Sequence, residues 1–216
     1  MRRSPVPKEK IAKRYDRWSR CYDAIDTCPL FGGTVQKRWK REAINALGIE
    51  RGERVLDMGT GTGLIVPWIL EKGAGLRVVG IDLSRRMLLR AHARAMAAEM
   101  VQGDLEQMPF KDGAFDKIIA TFTLTTVPDP VQCLRETARV LRKGGKVAVL
   151  DTGPPKKGLT RLFYPLLARS ARLSGYTMID RNPKDMIERA KSLIIETERR
   201  FFSSCVYLLV LRKGRS

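Results

Sequence analysis

The sequence predicts an α/β fold in which a mostly parallel sheet is covered by helices on both faces. Strand-like and helix-like runs alternate through residues 54–151. The first strand-like run leads directly into a glycine-rich turn and then into a helix-like run, the order in which such sheets build a ligand loop. The chain has 216 residues, 44% of them hydrophobic, which is enough for one domain with a substantial core.

Five runs in the middle of the chain predict strands. They are Arg54–Met58, Arg77–Ile81, a short piece near Met100 and Val101, Phe115–Ala120 and Lys146–Asp151. The helices predicted between them are Leu64–Lys72, Ser84–Ala97 and Pro130–Leu141. Asp129 can cap the last of these helices, and Pro130 suits its first position. Two later runs, Ser192–Arg200 and Cys205–Leu211, predict a final antiparallel strand pair.

The N-terminal stretch predicts an amphipathic helix over Lys8–Ile25. Its apolar residues recur at spacings of three and four: Ile11, Tyr15, Trp18, Tyr22 and Ile25. Six cations surround this stripe: Lys8, Lys10, Lys13, Arg14, Arg17 and Arg20. A second helix is predicted over Thr34–Leu47.

The positive charge lies outside the middle of the chain. Residues 1–51 hold 13 basic and 6 acidic side chains, residues 156–216 hold 14 and 5, and residues 52–155 hold 14 and 12. A near-neutral core flanked by two basic segments indicates an anionic partner. The organisation that follows is a basic N-terminal pair of helices over 1–50, a core over 51–155, a basic helical insertion over 156–190 and terminal strands over 191–216.

Other function classes find little support in the composition. Runs of 18 apolar residues are absent, and the first residues lack the apolar stretch of a signal peptide, so we expect a cytoplasmic protein. The four cysteines are scattered without C-x-x-C spacing, and one histidine, His92, could join them. We therefore expect no metal site and no disulfide framework.

The segment Val55–Gly63 carries the clearest functional signal. Its glycines follow a G-x-G-x-G spacing, and Asp57 lies two residues ahead of the first. Glycines let the backbone pass close to a ligand at the end of a strand. The dinucleotide fingerprint is G-x-G-x-x-G, and an acid at Asp57 would repel a pyrophosphate but suits a cationic ligand.

Two further acids follow the next strands. Asp82 ends the second strand, where a carboxylate can accept hydrogen bonds from both hydroxyls of a ribose. Asp104 follows the third strand and can meet the exocyclic amine of an adenine. Taken singly, Asp82 could also be a helix-capping acid and Asp104 an ordinary loop carboxylate. Together with the glycine turn, they favour a nucleoside site.

These motifs resemble the class I S-adenosylmethionine-dependent methyltransferases. The resemblance covers Tyr15–Asp151 and rests on VLDMGTGTG, GIDLS, GDLEQMPF, FDKIIATFTL and RVLRKGGKVAVL in that order. It implies a Rossmann-like, seven-stranded, mostly parallel sheet with the last strand antiparallel, an N-terminal helical lid and S-adenosylmethionine as the cofactor. The cofactor-binding residues that it implies are Asp57, Gly59, Thr60, Gly61, Gly63, Asp82, Leu83, Met87, Asp104, Leu105 and Thr121.

For the acceptor, the closest resemblance is to small bacterial phosphatidylethanolamine N-methyltransferases, with the ubiquinone and menaquinone C-methyltransferases as near relatives. The segment Tyr15–Asp23 matches the Y-x-x-x-x-x-x-Y-D pattern that both groups place over the cofactor. The run Val127–Pro130 is closer to the phospholipid group. We therefore expect N-methylation of phosphatidylethanolamine, with C-methylation of a quinone precursor as the alternative. The candidate proton-handling residues are Tyr15, Tyr22 and Asp23.

The basic segments also predict peripheral binding to an anionic membrane. Aromatic residues among lysines and arginines can lie in a bilayer interface, and Gly158–Leu173 is a second apolar and basic stretch. The alternative is that both segments pack on the sheet as lids. Nucleic acid, the other common partner of basic proteins, is not favoured, because the segment after the fourth strand lacks an N-P-P-Y-like tetrapeptide. A non-catalytic cofactor-binding protein is a further alternative.

Overall fold

The structure of the protein is a computed structural model that describes residues 6–27, 33–155, 160–173, 181–202 and 204–214. Within these ranges seven strands form one sheet: β1 (Arg54–Met58), β2 (Arg77–Asp82), β3 (Glu99–Gln102), β4 (Phe115–Thr121), β5 (Leu141–Thr152), β6 (Leu193–Phe201) and β7 (Val206–Lys213). The helices of the described residues are α1 (Lys8–Trp18), α2 (Tyr22–Thr27), α3 (Gly33–Ala46), α4 (Val66–Leu70), α5 (Arg85–Arg94), α6 (Pro130–Val140), α7 (Thr160–Leu173) and α8 (Pro183–Ala190).

The strand order is β3-β2-β1-β4-β5-β7-β6. Strand β7 runs antiparallel to both of its neighbours, and the other neighbouring pairs are parallel. Continuous apolar runs explain the central strands, since a parallel strand is buried on both faces. Ile118 and Ile119 in β4 are both fully buried, although they point to opposite faces. The predicted α/β fold with an antiparallel last strand is confirmed.

Several predicted boundaries differ from the structure, and two of the differences have a visible cause. The single helix expected over Lys8–Ile25 is split into α1 and α2 by a turn in which the Ser19 hydroxyl donates to the Asp16 carbonyl at 2.9 Å. The α6 helix ends one residue before Leu141, because Leu141 takes an extended conformation and pairs with Phe115 of β4. Strand β5 therefore starts five residues earlier than predicted.

The core lies on both faces of the sheet. On one face, Phe115 packs in a cluster with residues of α6 and α8, such as Leu134 and Ile187. On the other face, Ile44 of α3 and Ile69 of α4 pack against the sheet. The carboxyl ends of the parallel strands share one edge of the sheet, so the loops after β1, β2, β3 and β4 meet there. Helix α1 packs against α5 above this edge.

Candidate functional site

A cavity lies at the carboxyl edge of the sheet, between the strand loops and the N-terminal helices. Four of the strand ends contribute to it: Gly59 and Gly61 after β1, Asp82 and Leu83 at β2, Asp104 and Leu105 after β3, and residues 121–123 and 126–128 at and after the end of β4. The N-terminal segment covers it with Lys8, Ile11, Tyr15 and Tyr22. The topology thus places the glycine turn, both predicted nucleoside acids and the predicted lid around one space.

The glycine turn is shaped by close packing of its backbone. Gly59 has φ +67°, and a Cβ there would lie 2.7 Å from Cγ2 of Thr123. Gly63 has φ +71°, and its Cβ would lie 2.9 Å from the Cα of Ala91 in α5. At Gly61 the position of a Cβ has no atom within 4 Å, and the residue lines the cavity. Close packing at Gly59 and Gly63 therefore fixes the conformation of the loop. Gly61 leaves room for a ligand beside its backbone.

Asp57 lies behind the glycine turn rather than in the cavity wall. Its side chain is 1% exposed, and the Thr60 hydroxyl donates to Oδ2 at 2.7 Å. Burial raises the pKa of Asp57 to about 7; the charge of Asp82 adds to this, whereas the Thr60 bond and Lys40 act in the opposite direction. A cation bound in front of the turn would stabilise the ionised form.

Asp82 faces the cavity from the end of β2. Its Oδ1 accepts a hydrogen bond from the Ser84 amide at 2.8 Å, and its Oδ2 accepts one from the Gly61 amide at 2.9 Å. Burial raises the pKa of Asp82, although these two amides act to lower it. Helix α5 is capped by Ser84, whose Oγ accepts from the Met87 amide at 3.2 Å. The N-cap of α5 is thus Ser84, which leaves the Asp82 carboxylate for the cavity.

Asp104 has an ion-pair partner that the sequence did not predict. Its Oδ1 accepts from the Glu106 amide at 2.9 Å, and its Oδ2 accepts from Nζ of Lys8 in α1. The same Nζ lies 2.7 Å from Oε2 of Glu106. Burial lowers the pKa of Lys8, but the bonds to the two carboxylates outweigh it, so this pKa is raised. Lys8, the first residue of α1, is therefore bound to the carboxylate that was predicted to meet an adenine amine.

The other end of the cavity is uncharged. The segment after β4 contributes Thr121, Phe122, Thr126 and its neighbours. Phe122 has φ +55°, a strained conformation for a residue with a side chain. Tyr15 and Tyr22 line the same cavity, with ring centroids 6.5 Å apart in an edge-to-face arrangement. A cavity that has this uncharged segment and two phenols in its wall can hold an apolar or aromatic molecule.

Asp23 lies outside the cavity lining. Its carboxylate accepts hydrogen bonds from the hydroxyl of Thr62 and from the guanidinium of Arg94 in α5. Burial raises the pKa of Asp23, but the Arg94 and Thr62 bonds outweigh it and leave this pKa lowered. Such a carboxylate is a weak base. The structure places it as a tie between α2 and the glycine turn, away from the proton-handling role expected for it.

Asp151 is the last residue but one of β5 and lies beneath the segment 121–128. Its Oδ1 accepts from the Thr125 hydroxyl and from the Thr152 amide, both at 2.8 Å. Burial raises the pKa of Asp151 to about 6, against the effect of these bonds. Of its two possible roles, facing an acceptor or capping a strand end, the structure shows the second. Asp151 holds the loop that forms the uncharged wall.

Most of the predicted site residues share the cavity. Those that line it are Tyr15, Tyr22, Gly59, Gly61, Asp82, Leu83, Met87, Asp104, Leu105 and Thr121. Three others, Asp57, Thr60 and Gly63, are buried directly behind the turn. The lining residues that sequence reasoning missed are Lys8, Ile11, Phe122, Thr123, Thr126, Val127 and Pro128. Most of these directly follow a predicted strand, so the whole loop could have been included on that ground.

Known proteins match this chain over most of its length. The family model described as a methyltransferase domain matches residues 56–149. A demethylmenaquinone methyltransferase of Renibacterium salmoninarum is 31% identical over 185 residues, which cover 86% of this chain and 76% of that protein. The chain belongs to the S-adenosylmethionine-dependent methyltransferases. The demethylmenaquinone methyltransferase of Thermus thermophilus is 36% identical over 148 residues, 66% of each chain, so slightly less than two thirds of that relative is spanned.

Solved structures agree with the fold of this family. An S-adenosylmethionine-dependent methyltransferase from Mesorhizobium loti superposes with a TM-score of 0.63 at 21% identity, over 80% of this chain and 96% of that one. The [4+2]-cyclase SpnF superposes with a TM-score of 0.79 at 15% identity over the whole of both chains. These likenesses establish the Rossmann-like methyltransferase fold.

The cofactor of the family is S-adenosylmethionine, and the cavity fits it. The open space beside Gly61 lets a ligand approach the backbone, and Asp57 behind the turn suits a positively charged ligand. The Asp82 carboxylate is held toward the cavity by two amides, and Asp104 lines the same wall as Leu83. Carboxylates at the glycine turn and in the cavity wall suit the charge and the hydroxyls of this nucleoside.

Proposed function

We propose that the protein transfers the methyl group of S-adenosylmethionine to a ring carbon of a quinol, as in the C-methylation of a menaquinone or ubiquinone precursor. The observation that carries this proposal is the 31% identity, over 86% of the chain, to a protein named demethylmenaquinone methyltransferase. The Thermus thermophilus protein that shares 36% identity over 148 residues bears the same name. A quinone acceptor was the alternative in the sequence analysis, and it now replaces phosphatidylethanolamine as the preferred one.

The sequence run that favoured phosphatidylethanolamine has a structural role of its own. Asp129 is the N-cap of α6, and its carboxylate accepts from the Gln132 amide at 3.1 Å. Pro130 is the first residue of that helix. The run Val127–Pro130 therefore starts α6 whatever the acceptor is, and the relatives give a phospholipid amine no support.

The chemistry of the uncharged wall also favours a neutral ring over an amine. The segment 121–128 contains no ionisable residue, and the carboxylate packed beneath it, Asp151, is already bonded to Thr125 and Thr152. A primary amine with a pKa near that of lysine, about 10.4, is an ammonium ion at neutral pH and needs a carboxylate beside it. A quinol ring is uncharged, and it can pack between Phe122, Thr126 and the two tyrosines without such a partner.

We assign the cofactor contacts as follows. The sulfonium supplies an already activated methyl group, so alignment of the ring carbon with the methyl and the sulfur is the main requirement. Asp82 accepts from the ribose hydroxyls, and Asp104 with the Leu105 backbone reads the adenine edge. Leu83 and Met87 flank the base, Asp57, Thr60 and the glycines Gly59, Gly61 and Gly63 form the seat of the methionine part, and Thr121 lies where the methyl group passes.

Methylation of a quinol carbon also requires a proton to leave. A carbon–carbon bond forms as the carbon–sulfur bond breaks, and the ring then loses the proton of the methylated carbon. Tyr15 and Tyr22 line the cavity, and we assign their hydroxyls to orient the quinol hydroxyl, which keeps its proton, and to pass the proton of the methylated carbon to water. Asp23 has no part in this step because Arg94 and Thr62 occupy its carboxylate.

The test is a labelling experiment with three acceptors. The protein receives S-adenosylmethionine labelled in the methyl group, together with vesicles that contain a demethylated menaquinol, vesicles of phosphatidylethanolamine, or RNA. Label in the quinol is the expected result, and label in phosphatidylethanolamine or RNA would overturn the proposal. The variant Asp82→Ala should label no acceptor, whereas Asp112→Ala, which removes an acid with an 80% exposed side chain, should behave like the unchanged protein.

A further inference from the structure

Helix α7 presents an apolar surface to solvent. Leu162 is 74% exposed and Leu166 is 71% exposed. The two leucines are four residues apart and lie one above the other on a helix. Exposed large hydrophobic residues elsewhere in the described ranges, such as Leu89 and Met96, are not paired in this way on a single exposed helix face. This pair, together with Arg161 and Arg169, is called the α7 surface below.

The charge around the α7 surface has one sign. Arg161 and Arg169 are exposed and flank the leucines. From residue 156 to residue 173 the sequence contains five basic residues and no acidic one. Ala168, on the same helix, is buried, so one side of α7 faces the protein and another carries the leucines. An exposed leucine pair framed by cations complements a surface that is apolar inside and anionic outside.

Helix α7 follows in the chain a strand that ends at the same edge of the sheet as the cavity. Strand β5 ends at Thr152, on the same edge of the sheet as the glycine turn, and α7 is the next helix in the chain. Helix α1 was also predicted to contact a membrane, but its Ile11 and Tyr15 line the cavity. Its apolar stripe is therefore used by the site. None of the helices in the described parts of the chain is long and apolar enough to cross a bilayer.

We infer that the α7 surface docks on an anionic lipid bilayer, with Leu162 and Leu166 entering the interface and Arg161 and Arg169 contacting lipid phosphates. This inference rests on the proposed function, because a lipid-soluble quinol is available only in a bilayer. Docking through α7 would bring the protein to the bilayer that holds this acceptor. Binding is reversible, because two leucines and a few cations do not anchor a protein.

The test is sedimentation with vesicles of phosphatidylglycerol and phosphatidylcholine, compared with vesicles of phosphatidylcholine alone. The unchanged protein should bind the anionic vesicles, and more weakly at high salt. The variant Leu162→Glu/Leu166→Glu should lose at least tenfold in partitioning, and Arg161→Glu/Arg169→Glu should lose a comparable factor. Leu89→Glu, at a 61% exposed leucine of α5, is the matched control and should bind normally. Equal affinity for adenosylhomocysteine in all variants verifies that each is folded.

Three results would overturn the inference: no binding of the unchanged protein to anionic vesicles, normal binding of the leucine variant, or a leucine variant that changes only from dimer to monomer in gel filtration. The last result would assign the surface to a second copy of the chain. Failure of the proposed function gives a different pattern, since vesicle binding would persist without label in any quinol. If both hold, the leucine variant should methylate a short-chain, water-soluble quinol normally and a bilayer quinol poorly.

Discussion

Along the carboxyl edge of the sheet, the half over β1–β3 is acidic and the half over β4 and β5 is uncharged at the cavity and basic beyond it. The first half carries Asp57, Asp82 and Asp104 within a segment of about fifty residues. The second half consists of the segment 121–128 and continues to α7, which has no acidic residue. The acidic half suits a positively charged nucleoside. The other half would suit an uncharged, lipid-soluble acceptor.

The difference shows how the two ligands impose different demands on the chain. The nucleoside has a fixed set of hydroxyls, an amine and a charge, so it needs particular acids at the ends of consecutive strands. The proposed acceptor, a quinol ring, would need mainly shape and the exclusion of water, which many apolar residues can provide. The fold relative SpnF, a [4+2]-cyclase, shares the whole architecture, so the fold alone does not fix the chemistry of the acceptor side.

The largest expected effect is at Asp82. Replacing it with alanine removes the acceptor that we propose for both ribose hydroxyls, and bonds to a charged group contribute about 1.5–3 kcal/mol each. We expect adenosylhomocysteine to bind Asp82→Ala at least about 1,000-fold more weakly, a loss of about 4 kcal/mol, in titration calorimetry. Asp112→Ala serves as the control. Intact binding by Asp82→Ala would show that the acidic half of the edge does not bind the nucleoside.

The second prediction concerns pH and Asp57. Its pKa in the folded protein is about 7, above the unfolded value of 3.8. Between these values the unfolded chain gives up a proton that the folded chain keeps, so this carboxyl lowers stability as pH rises from about 4 to about 7. The free energy of unfolding of Asp57→Asn, relative to the unchanged protein, should therefore increase over that range, by up to about 4 kcal/mol.

Urea unfolding at a series of pH values measures this difference. Asp151, whose pKa is raised to about 6, is present in both proteins, so its contribution cancels in the comparison. A difference between the two proteins that is constant from pH 4 to pH 8 would contradict the burial of an ionisable Asp57.

The third prediction separates backbone strain from close packing by comparing Gly59 of the glycine turn with Gly48, which follows α3. At Gly48, with φ +57° and no atom within 4 Å of a Cβ, alanine adds only backbone strain, about 1–2 kcal/mol. At Gly59 it adds the same strain and a collision with Thr123, which brings the expected loss to about 3 kcal/mol. Thermal or urea unfolding of Gly48→Ala and Gly59→Ala measures both losses. Equal losses would show that the approach of Thr123 does not matter.

The smallest effect is expected at Lys8. In the structure Nζ of Lys8 occupies Asp104 and Glu106, so an adenine amine must displace it from Asp104. Such a half-exposed ion pair is worth about 1 kcal/mol or less. Lys8→Met should therefore bind adenosylhomocysteine up to about fivefold more tightly, with Lys10→Met unchanged. Tenfold weaker binding would mean that Lys8 holds the ligand and does not compete with it.

The acidic half was predictable because its signals are local. The glycine turn, Asp82 and Asp104 each follow a strand that the apolar pattern reveals, and the resemblance to a family orders them. The parallel sheet was predictable for the same reason. Contacts between distant residues carried no such signal: Lys8 and Asp104 are 96 positions apart, and nothing near Lys8 indicates the pairing.

The acceptor half was harder to predict for a physical reason. The pairing of Asp23 with Arg94 spans 71 positions and changes a candidate base into a structural tie. The run Val127–Pro130 is a helix start that could be taken for an acceptor signature. The uncharged wall consists of residue types that any loop packed on a sheet contains. The sequence therefore carries no signal that this loop lines a binding site.

The most direct test is a crystal structure of the complex with adenosylhomocysteine. We expect the ribose hydroxyls on the Asp82 carboxylate, the adenine amine at Asp104 with Lys8 displaced, and the amino acid part against the backbone of the glycine turn. The sulfur should point toward Thr121 and the space beneath Tyr15 and Tyr22. A nucleoside bound elsewhere, or in this cavity without contact to Asp82, would contradict the central claim.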